Sequence, residues 1–318
     1  MNLDELQTLA GNIRTEIGKA VHGQNEVIDL LLVSLFARGH CLLEGPPGTA
    51  KTLLAQSLAD SLKLEFKRIQ FTPDLMPGDV IGANIFDFRT SKFNLVKGAI
   101  FTDILLADEI NRAPPKTQAA LLQVMNERIV TIDGKDHSVG ELFFVIATQN
   151  PIENQGTYPL PEAQLDRFLF KLILDFPERD FELEILTRHA KQALEHDARR
   201  AGIKAVASLV KIRNGQKLVD KIRLDEKILV YVLDLVRLTR HDNAISHGGS
   251  TRAADALCGA VRANAALSGR DYAIPDDVKR LFKASMRHRI VLSPTAEIEG
   301  RTPDEVLDQI INQIEAPR

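Results

Sequence analysis

Apolar positions change rhythm partway along this chain of 318 residues. Up to Pro177, short apolar runs alternate with segments of helical period. The runs are Cys41–Leu43, Phe66–Phe71, Ile104–Ala107, Phe143–Ala147 and Phe168–Leu174. Two of them, Ile104–Ala107 and Phe143–Ala147, have no polar residue at all, as expected of strands covered on both faces in a parallel sheet. Between the first two runs, Leu54, Leu58 and Leu62 recur every four positions with Ala55 and Ala59 beside them, which predicts a helix over Leu53–Leu62. Alternating buried strands and helices imply an α/β, doubly wound core. After Pro177 the strand-like runs stop. Asp180–Ala193, Leu224–Thr239, Ser250–Leu267, Pro275–Met286 and Pro303–Ile314 all read as helices. Ser250 is placed to cap its helix, and Pro275 and Pro303 suit first helical positions. The organisation expected is an α/β domain over 1–177 followed by a small all-α domain over 178–318; the stretch His196–Arg213 fits no pattern.

Two segments interrupt the α/β alternation and read as hairpins. Ile85–Val96 alternates around Thr90-Ser91, with Phe86, Phe88, Phe93 and Leu95 on repeating positions. Arg128–His137 turns at Asp133-Gly134, a strong two-residue turn signal. Phe88 and Phe93 either pack on the core or stand exposed to grip a partner.

Charge adds mainly exclusions. Forty Lys plus Arg against 43 Asp plus Glu leave a net charge of −3, too little for general affinity to nucleic acid or anionic lipid. Two cysteines, Cys41 and Cys258, build no disulfide framework and fit a reduced, cytoplasmic compartment. The N-terminal segment lacks a signal peptide's apolar core, and no window reaches the 18 uninterrupted apolar residues expected of a membrane span. The eight histidines form no HExxH motif and no pairing with the cysteines, which disfavours zinc.

The candidate chemistry lies at the ends of the predicted strands. Gly45-Pro46-Pro47-Gly48-Thr49-Ala50-Lys51-Thr52 follows the first strand and opens the helix at Leu53. In that context the glycines let the backbone approach phosphate, and successive N–H groups with the helix N-terminus hold the anion. Lys51 would reach the terminal phosphates of the bound anion and the Thr52 hydroxyl would ligate Mg²⁺. Where such loops usually carry Gly before the Lys, this one has Ala50, tolerable if the residue has already entered right-handed helical geometry and harmful if positive φ is required. The run Ile104–Ala107 ends in Asp108-Glu109, 57 residues after Lys51. Asp108 would hold Mg²⁺ through water and Glu109 would orient or deprotonate the attacking water. Phe143–Ala147 leads into Thr148-Gln149-Asn150-Pro151, where the Asn150 amide would contact water and γ-phosphate, or the segment is simply a turn.

These residues carry a resemblance. The chain resembles the AAA+ ATPases and, within them, the MoxR family. GPPGTAKT with its Ala50, LADEINRAPPKTQAALLQVMNER (Leu106–Arg128), VIATQNPIE (Val145–Glu153) and GTYPLPEAQLDRF (Gly156–Phe168) all match that family. The resemblance implies a P-loop AAA+ nucleotide-binding domain with a helical lid. Lys51 and Thr52 become the Walker A pair, Asp108 and Glu109 the Walker B pair, and Asn150 the first sensor. Arg167 becomes an arginine finger offered to a neighbouring subunit, and Arg252 the second sensor, reaching back from the lid. Gly248-Gly249-Ser250-Thr251-Arg252 departs from the family's usual Gly-Ala-Ser-Pro-Arg there. Val21 and Gly23 fall in the adenine-side loop, with His22 structural. Arg112 is either a second trans-acting arginine or a partner of the acids, and Glu127 and Arg128 are expected at a subunit interface.

The resemblance further implies a homo-oligomeric ring, normally a hexamer. Its work would be chaperone-like: maturation of a protein complex, or metal insertion with a von Willebrand factor A-domain partner. The motor subunit of a metal chelatase, a nucleic-acid-acting AAA+ motor, and a nucleotide-switched binding module are the alternatives. The hairpin's Arg89, Lys92 and Lys97 are thin support for the nucleic-acid reading.

Overall fold

The computed structural model describes residues 1–151, 156–191 and 202–317. Two helices precede the first strand. In α1 (Leu3–Gly18) Asn2 accepts the Glu5 N–H while Glu5 accepts the Asn2 N–H, a reciprocal cap that satisfies otherwise orphan donors. Leu6, Leu9, Ala10, Ile13 and Ile17 form its buried stripe. The second helix, α2 (Asn25–Phe36), is buried along most of its length.

Next come β1 (Cys41–Glu44), α3 (Lys51–Leu62), β2 (Phe66–Gln70) and α4 (Pro77–Ile81). The first predicted hairpin is β3 (Gly82–Asp87) and β4 (Lys92–Lys97), in which Phe86 pairs with Phe93. Beyond it lie β5 (Ile104–Asp108), a 3₁₀ turn over Ile110–Arg112, and α5 (Pro115–Glu127). The second hairpin, β6 (Ile129–Ile132) and β7 (Lys135–Ser138), turns through Asp133 and Gly134, both at positive φ. The series ends with β8 (Phe144–Gln149), α6 (Glu162–Leu165) and β9 (Phe170–Ile173).

The five main strands form one parallel sheet in the order β2-β5-β8-β1-β9. Alternate residues of a strand face opposite sides, and here each side has its own core. Cys41, Leu43, Ile104, Leu106, Phe144 and Ile146 join one apolar cluster, and Leu42, Leu105, Ala107, Val145 and Ala147 join another. Uninterrupted apolar runs therefore give fully buried strands, and a Leu→Ala change in one typically costs about 2–5 kcal/mol. The sheet β1 divides is also where strand order reverses, the usual place for a ligand crevice in open α/β sheets.

Past the sheet lie α7 (Arg179–Lys191), α8 (Leu209–Val219), α9 (Glu226–Leu238), α10 (Thr251–Leu267), α11 (Pro275–Met286), α12 (Pro294–Ile298) and α13 (Pro303–Gln313). The all-α expectation needs one correction. Ile245–His247 (β10) and Val291–Leu292 (β11) pair antiparallel, a ladder too short to register as an apolar run. Of the unplaced stretch His196–Arg213, residues 196–201 lie outside the described residues, as do the last two of Asp180–Ala193. The remainder packs on the α/β part. The Lys204 N–H donates to Glu16 and the Val206 N–H to the Ser61 carbonyl, and beyond the stretch Gln216 of α8 donates to the Leu35 carbonyl. Arg38 pairs bidentately with Asp220. The sheet ends by residue 177, but the apolar core does not: one cluster runs from α1, α2 and α3 through α8 to α9, α10 and α11.

A buried histidine ties β8 to α5. Nδ1 of His40 accepts the Val145 N–H at 3.0 Å, so Nε2 carries the proton and donates to the Met125 carbonyl at 3.0 Å. Burial pushes His40 down to about 4, and burial likewise pushes His288 well below its ordinary value. The unfolded chain takes up protons near pH 6.5 while the folded chain does not, so stability is full above that value and falls with pH through the window down to about 4. Each histidine contributes up to about 1.4 kcal/mol per pH unit there. Denaturant titrations should show this decline, and His40→Gln, less stable at neutral pH, should have a visibly shallower slope. Equal slopes in the two proteins would remove His40 as a cause.

Candidate active site

The turn after β1 is shaped for close approach. A Cβ at Gly45 would lie 2.2 Å from the Leu174 carbonyl oxygen, and Gly48 holds φ +85 with open space around it. Ala50 takes the positive-φ alternative. Its φ of 63 and ψ of 23 are left-handed, so it has not entered the helix, and α3 begins at Lys51 rather than Leu53. No side chain caps α3, so its first N–H groups face the loop unsatisfied by the chain, the arrangement that binds anions. Lys51, Thr52 and Leu53 open this helix and are all half-buried.

Lys51 curls over its own loop. Its Nζ donates to the carbonyls of Gly45 and Pro46, both at 2.8 Å, and Thr49 Oγ1 donates to the Pro46 carbonyl. Burial pushes the Lys51 ammonium down from its ordinary value, and the charges of Asp108 and Glu109 pull it back up. β1 pairs with β8 and β8 with β5, all parallel, so the loop and both acids leave the sheet at the same end. Hard oxygen donors, the Thr52 hydroxyl and the Asp108 carboxylate, suit a Mg²⁺ that takes its other ligands from phosphate and water.

The acids end β5 on the strand beside β8. Asp108 is buried, and Thr148 Oγ1 donates to its Oδ1 at 2.6 Å. The same hydroxyl accepts the Glu109 N–H at 2.8 Å, so one threonine fixes both acids. Arg68 donates to Asp108 Oδ2 through Nε and Nη2, the latter at 2.7 Å. Glu109 has left-handed φ 54, ψ 51, and its carboxylate accepts from Gln70 at 2.6 Å and Arg112 at 3.1 Å. Strained non-glycine backbone of this kind gathers at functional sites. Of the two readings for Arg112, the structure shows the ion pair with Glu109. Asn150 is buried one residue past β8.

Thr148, Arg68 and Gln70 have no role in the sequence reading. Register exposes them: Gln70 lies opposite Asp108 on β2, and Arg68 is two residues back on the same side.

Val21 is buried and Gly23 holds φ +75; a Cβ there would meet the Phe181 ring at 3.0 Å and Pro177 at 3.5 Å. This loop thus faces the start of α7. Ser250 caps α10, accepting the Ala253 N–H, with Thr251 and Arg252 in the first turn as expected. Arg252 donates to Asn126 at the end of α5, and Ser250 Oγ lies 3.4 Å from Asp166. The second-sensor candidate therefore sits beside the segment carrying Arg167. Arg167 itself is half-buried, and its Nε has no hydrogen-bond partner among the described residues. Arg128 ends α5 in left-handed geometry and is half-buried, and Glu127 accepts from Gln123. Phe88 and Phe93 are 88% and 70% exposed, so the hairpin aromatics do not pack on the core.

The family described as "ATPase family associated with various cellular activities (AAA)" matches residues 40–170, and "AAA lid domain" matches 237–310. The chain is 41% identical to the uncharacterized protein YeaC of Bacillus subtilis, over 99% of this chain and 97% of that one. It is 38% identical to chaperone MoxR1 of Mycobacterium tuberculosis, over 95% and 81%. It is 29% identical to protein MoxR of Methylorubrum extorquens, over 99% and 97%. A crystal structure of a candidate ATPase from Cytophaga hutchinsonii superposes with a TM-score of 0.90 at 36% identity, covering 99% of this chain and 97% of that one. No helix of the described residues is long and apolar enough to cross a membrane.

The left-handed alanine has a direct test. A non-glycine residue pays about 1–2 kcal/mol for this geometry, of which glycine's freer unfolded chain returns about 0.4–1 kcal/mol. Ala50→Gly should therefore raise unfolding stability by roughly 0.5–1 kcal/mol, read from denaturant midpoints. A lower midpoint would mean that the Ala50 methyl makes contacts outweighing the strain.

Proposed function

The chain belongs to the MoxR family of AAA ATPases and hydrolyses ATP, and from that premise we propose that it is a ring-forming remodelling chaperone in which each subunit's Arg167 completes its neighbour's nucleotide site. Residues 1–177 would act as the nucleotide-binding domain and 178–318 as its lid.

The direction of β1 carries this reading. Glu44, at its carboxyl end, lies opposite Ile173 and runs into the phosphate loop; Cys41, at its amino end, lies opposite Phe170. The Leu169 N–H donates to the His40 carbonyl, so the chain carrying Arg167 reaches the sheet at its amino edge. Arg167 and Lys51 thus stand at opposite ends of one strand. An arginine so placed acts on a phosphate of another copy. Such head-to-tail contacts close into a ring when the rotation between copies permits, and a hexamer is the proposed form.

Within one site, Lys51 would exchange the Gly45 and Pro46 carbonyls for the β- and γ-phosphate oxygens. Thr52 and Asp108 would hold Mg²⁺, which neutralises phosphate charge. Asp108 comes to that task already oriented by Thr148 and Arg68. Glu109 would draw the attacking water's proton, and Asn150 would orient that water against the γ-phosphate. The neighbour's Arg167 would stabilise charge developing in the transition state. Val21 and Gly23 would contact the base. Arg252, beside Asp166, would act from the same side as Arg167.

The name of chaperone MoxR1 supports work on protein complexes. The exposed aromatics of the β3–β4 hairpin support contact with a protein client. Metal insertion with a von Willebrand factor A-domain partner is the more specific form of the proposal. Free thiols at Cys41 and Cys258 support a cytoplasmic setting.

Glu109→Gln should bind ATP but turn it over at least a hundredfold more slowly, consistent with the roughly 10²–10⁴-fold typical of general-base loss; wild-type turnover would remove Glu109 from the chemistry. Arg167→Ala should likewise bind ATP and lose roughly 10³–10⁵-fold in rate. Mixed with inactive Lys51→Ala, it should regain activity, because an intact Lys51 site can then adjoin an intact Arg167. Absence of rescue in verified mixed oligomers would refute the trans-acting arginine.

A further inference from the structure

The residues around Arg167 are held by the lid. Arg289 follows α11 and is only 7% exposed, yet it carries a full charge into the core. Its Nε donates to Asp166 Oδ1 at 2.7 Å. Nη2 donates to the Phe168 carbonyl at 2.7 Å and the Asp166 carbonyl at 3.2 Å, and Nη1 donates to the Leu169 carbonyl at 3.2 Å. The fork is anchored on its own side by the Ser285 carbonyl and hydroxyl, at 2.7 and 2.8 Å. His288 Nε2 donates to the same Phe168 carbonyl at 2.9 Å. One guanidinium thus grips the residue before Arg167 and the two after it. From the other lid helix, Ser250 Oγ approaches Asp166 Oδ2.

We propose that Arg289 is a positioning residue for Arg167: it fastens the arginine-finger segment to the lid, so that the lid of each subunit aims the finger at its neighbour's nucleotide. This rests on the trans-acting role of Arg167 proposed above. Stability alone is a weak account of the contact, since buried ion pairs are often no better than apolar packing of equal volume. What the fork provides is direction. It fixes Asp166, Phe168 and Leu169 while, among the described residues, Arg167 Nε has no hydrogen-bond partner. An arginine finger needs that rigidity, because a misplacement of about 1 Å can cost on the order of 10²-fold in rate.

Subunit mixing separates this role from one at Arg289's own nucleotide site. Arg289→Met should assemble and bind ATP with wild-type affinity while losing about 10²-fold in kcat. Arg289→Lys, which keeps the charge without the fork, should recover part of the loss. In the Arg167→Ala background, Arg289→Met should cause no further loss. Mixed with Lys51→Ala, Arg289→Met should be rescued, because its own loop is sound and the neighbour supplies the finger. Mixed with Arg167→Ala it should not be, because neither subunit offers a working finger. The opposite pattern, rescue by Arg167→Ala and not by Lys51→Ala, overturns the proposal, as does a wild-type kcat. If Arg289→Met does not fold, Asp166→Asn, an isosteric change at the half-buried partner, is read in the same mixtures against the same outcomes. The Lys51→Ala with Arg167→Ala mixture is the control. If it fails, the trans-acting reading itself has failed; if it succeeds and the Arg289 pattern is absent, only the present proposal falls.

Discussion

Because all five main strands run the same way, the sheet has two chemically unlike ends. At the carboxyl end the backbone leaves β1 into a loop with uncapped helix N–H groups, and β5 delivers Asp108 and Glu109 beside it. At the amino end the chain entering β9 brings Arg167. The strand between them is four residues long, a span of roughly 13 Å at the usual rise per residue. Parallel pairing makes that separation rigid, and every element of the proposed cooperation between subunits depends on it. An antiparallel β9 would have put the arginine and the loop at the same end.

Charge inside the site is balanced locally. Asp108 has one oxygen on Thr148 and the other on Arg68, and Glu109 shares Gln70 and Arg112. Lys51, meanwhile, is satisfied by carbonyls of its own loop. Lys51, Asp108 and Glu109, three of the groups proposed to meet ATP and Mg²⁺, are therefore already engaged with the protein. Binding must exchange these contacts, so its net energy is smaller than the gross attraction between phosphate and lysine.

The inner strands β1, β5 and β8 were legible because each is buried on both faces, which leaves a continuous apolar signature; the edge strands β2 and β9 are partly exposed, and their apolar runs are interrupted by Lys67, Arg68 and Gln70 and by Lys171. Both hairpins were legible from turn residues and alternation. The phosphate loop, the acids and the candidate arginine were legible as a constellation. Helix α1 escaped, although Asn2 and Glu5 already spell its cap and Leu6, Leu9, Ile13 and Ile17 its stripe. The β10–β11 pair escaped because two or three residues carry no period. The geometry of Ala50 was not legible: helix propensity would admit alanine to the helix, but the turn overrides propensity and holds it left-handed. Arg68, Gln70, Thr148 and Arg289 act through register or tertiary contact, and nothing local in the sequence marks them apart from any other polar residue at a strand or helix end.

The apolar cluster that runs unbroken from α1, α2 and α3 into α9, α10 and α11 has a mechanical consequence. A lid joined by a bare tether could swing open on a hinge. This one shares a close-packed interior with the body it covers, and opening it as a flap would hydrate that interior. The displacements available at low cost are small slides of one packed helix over another, a shear rather than a hinge. Short, stiff strokes of that kind transmit force with little slack.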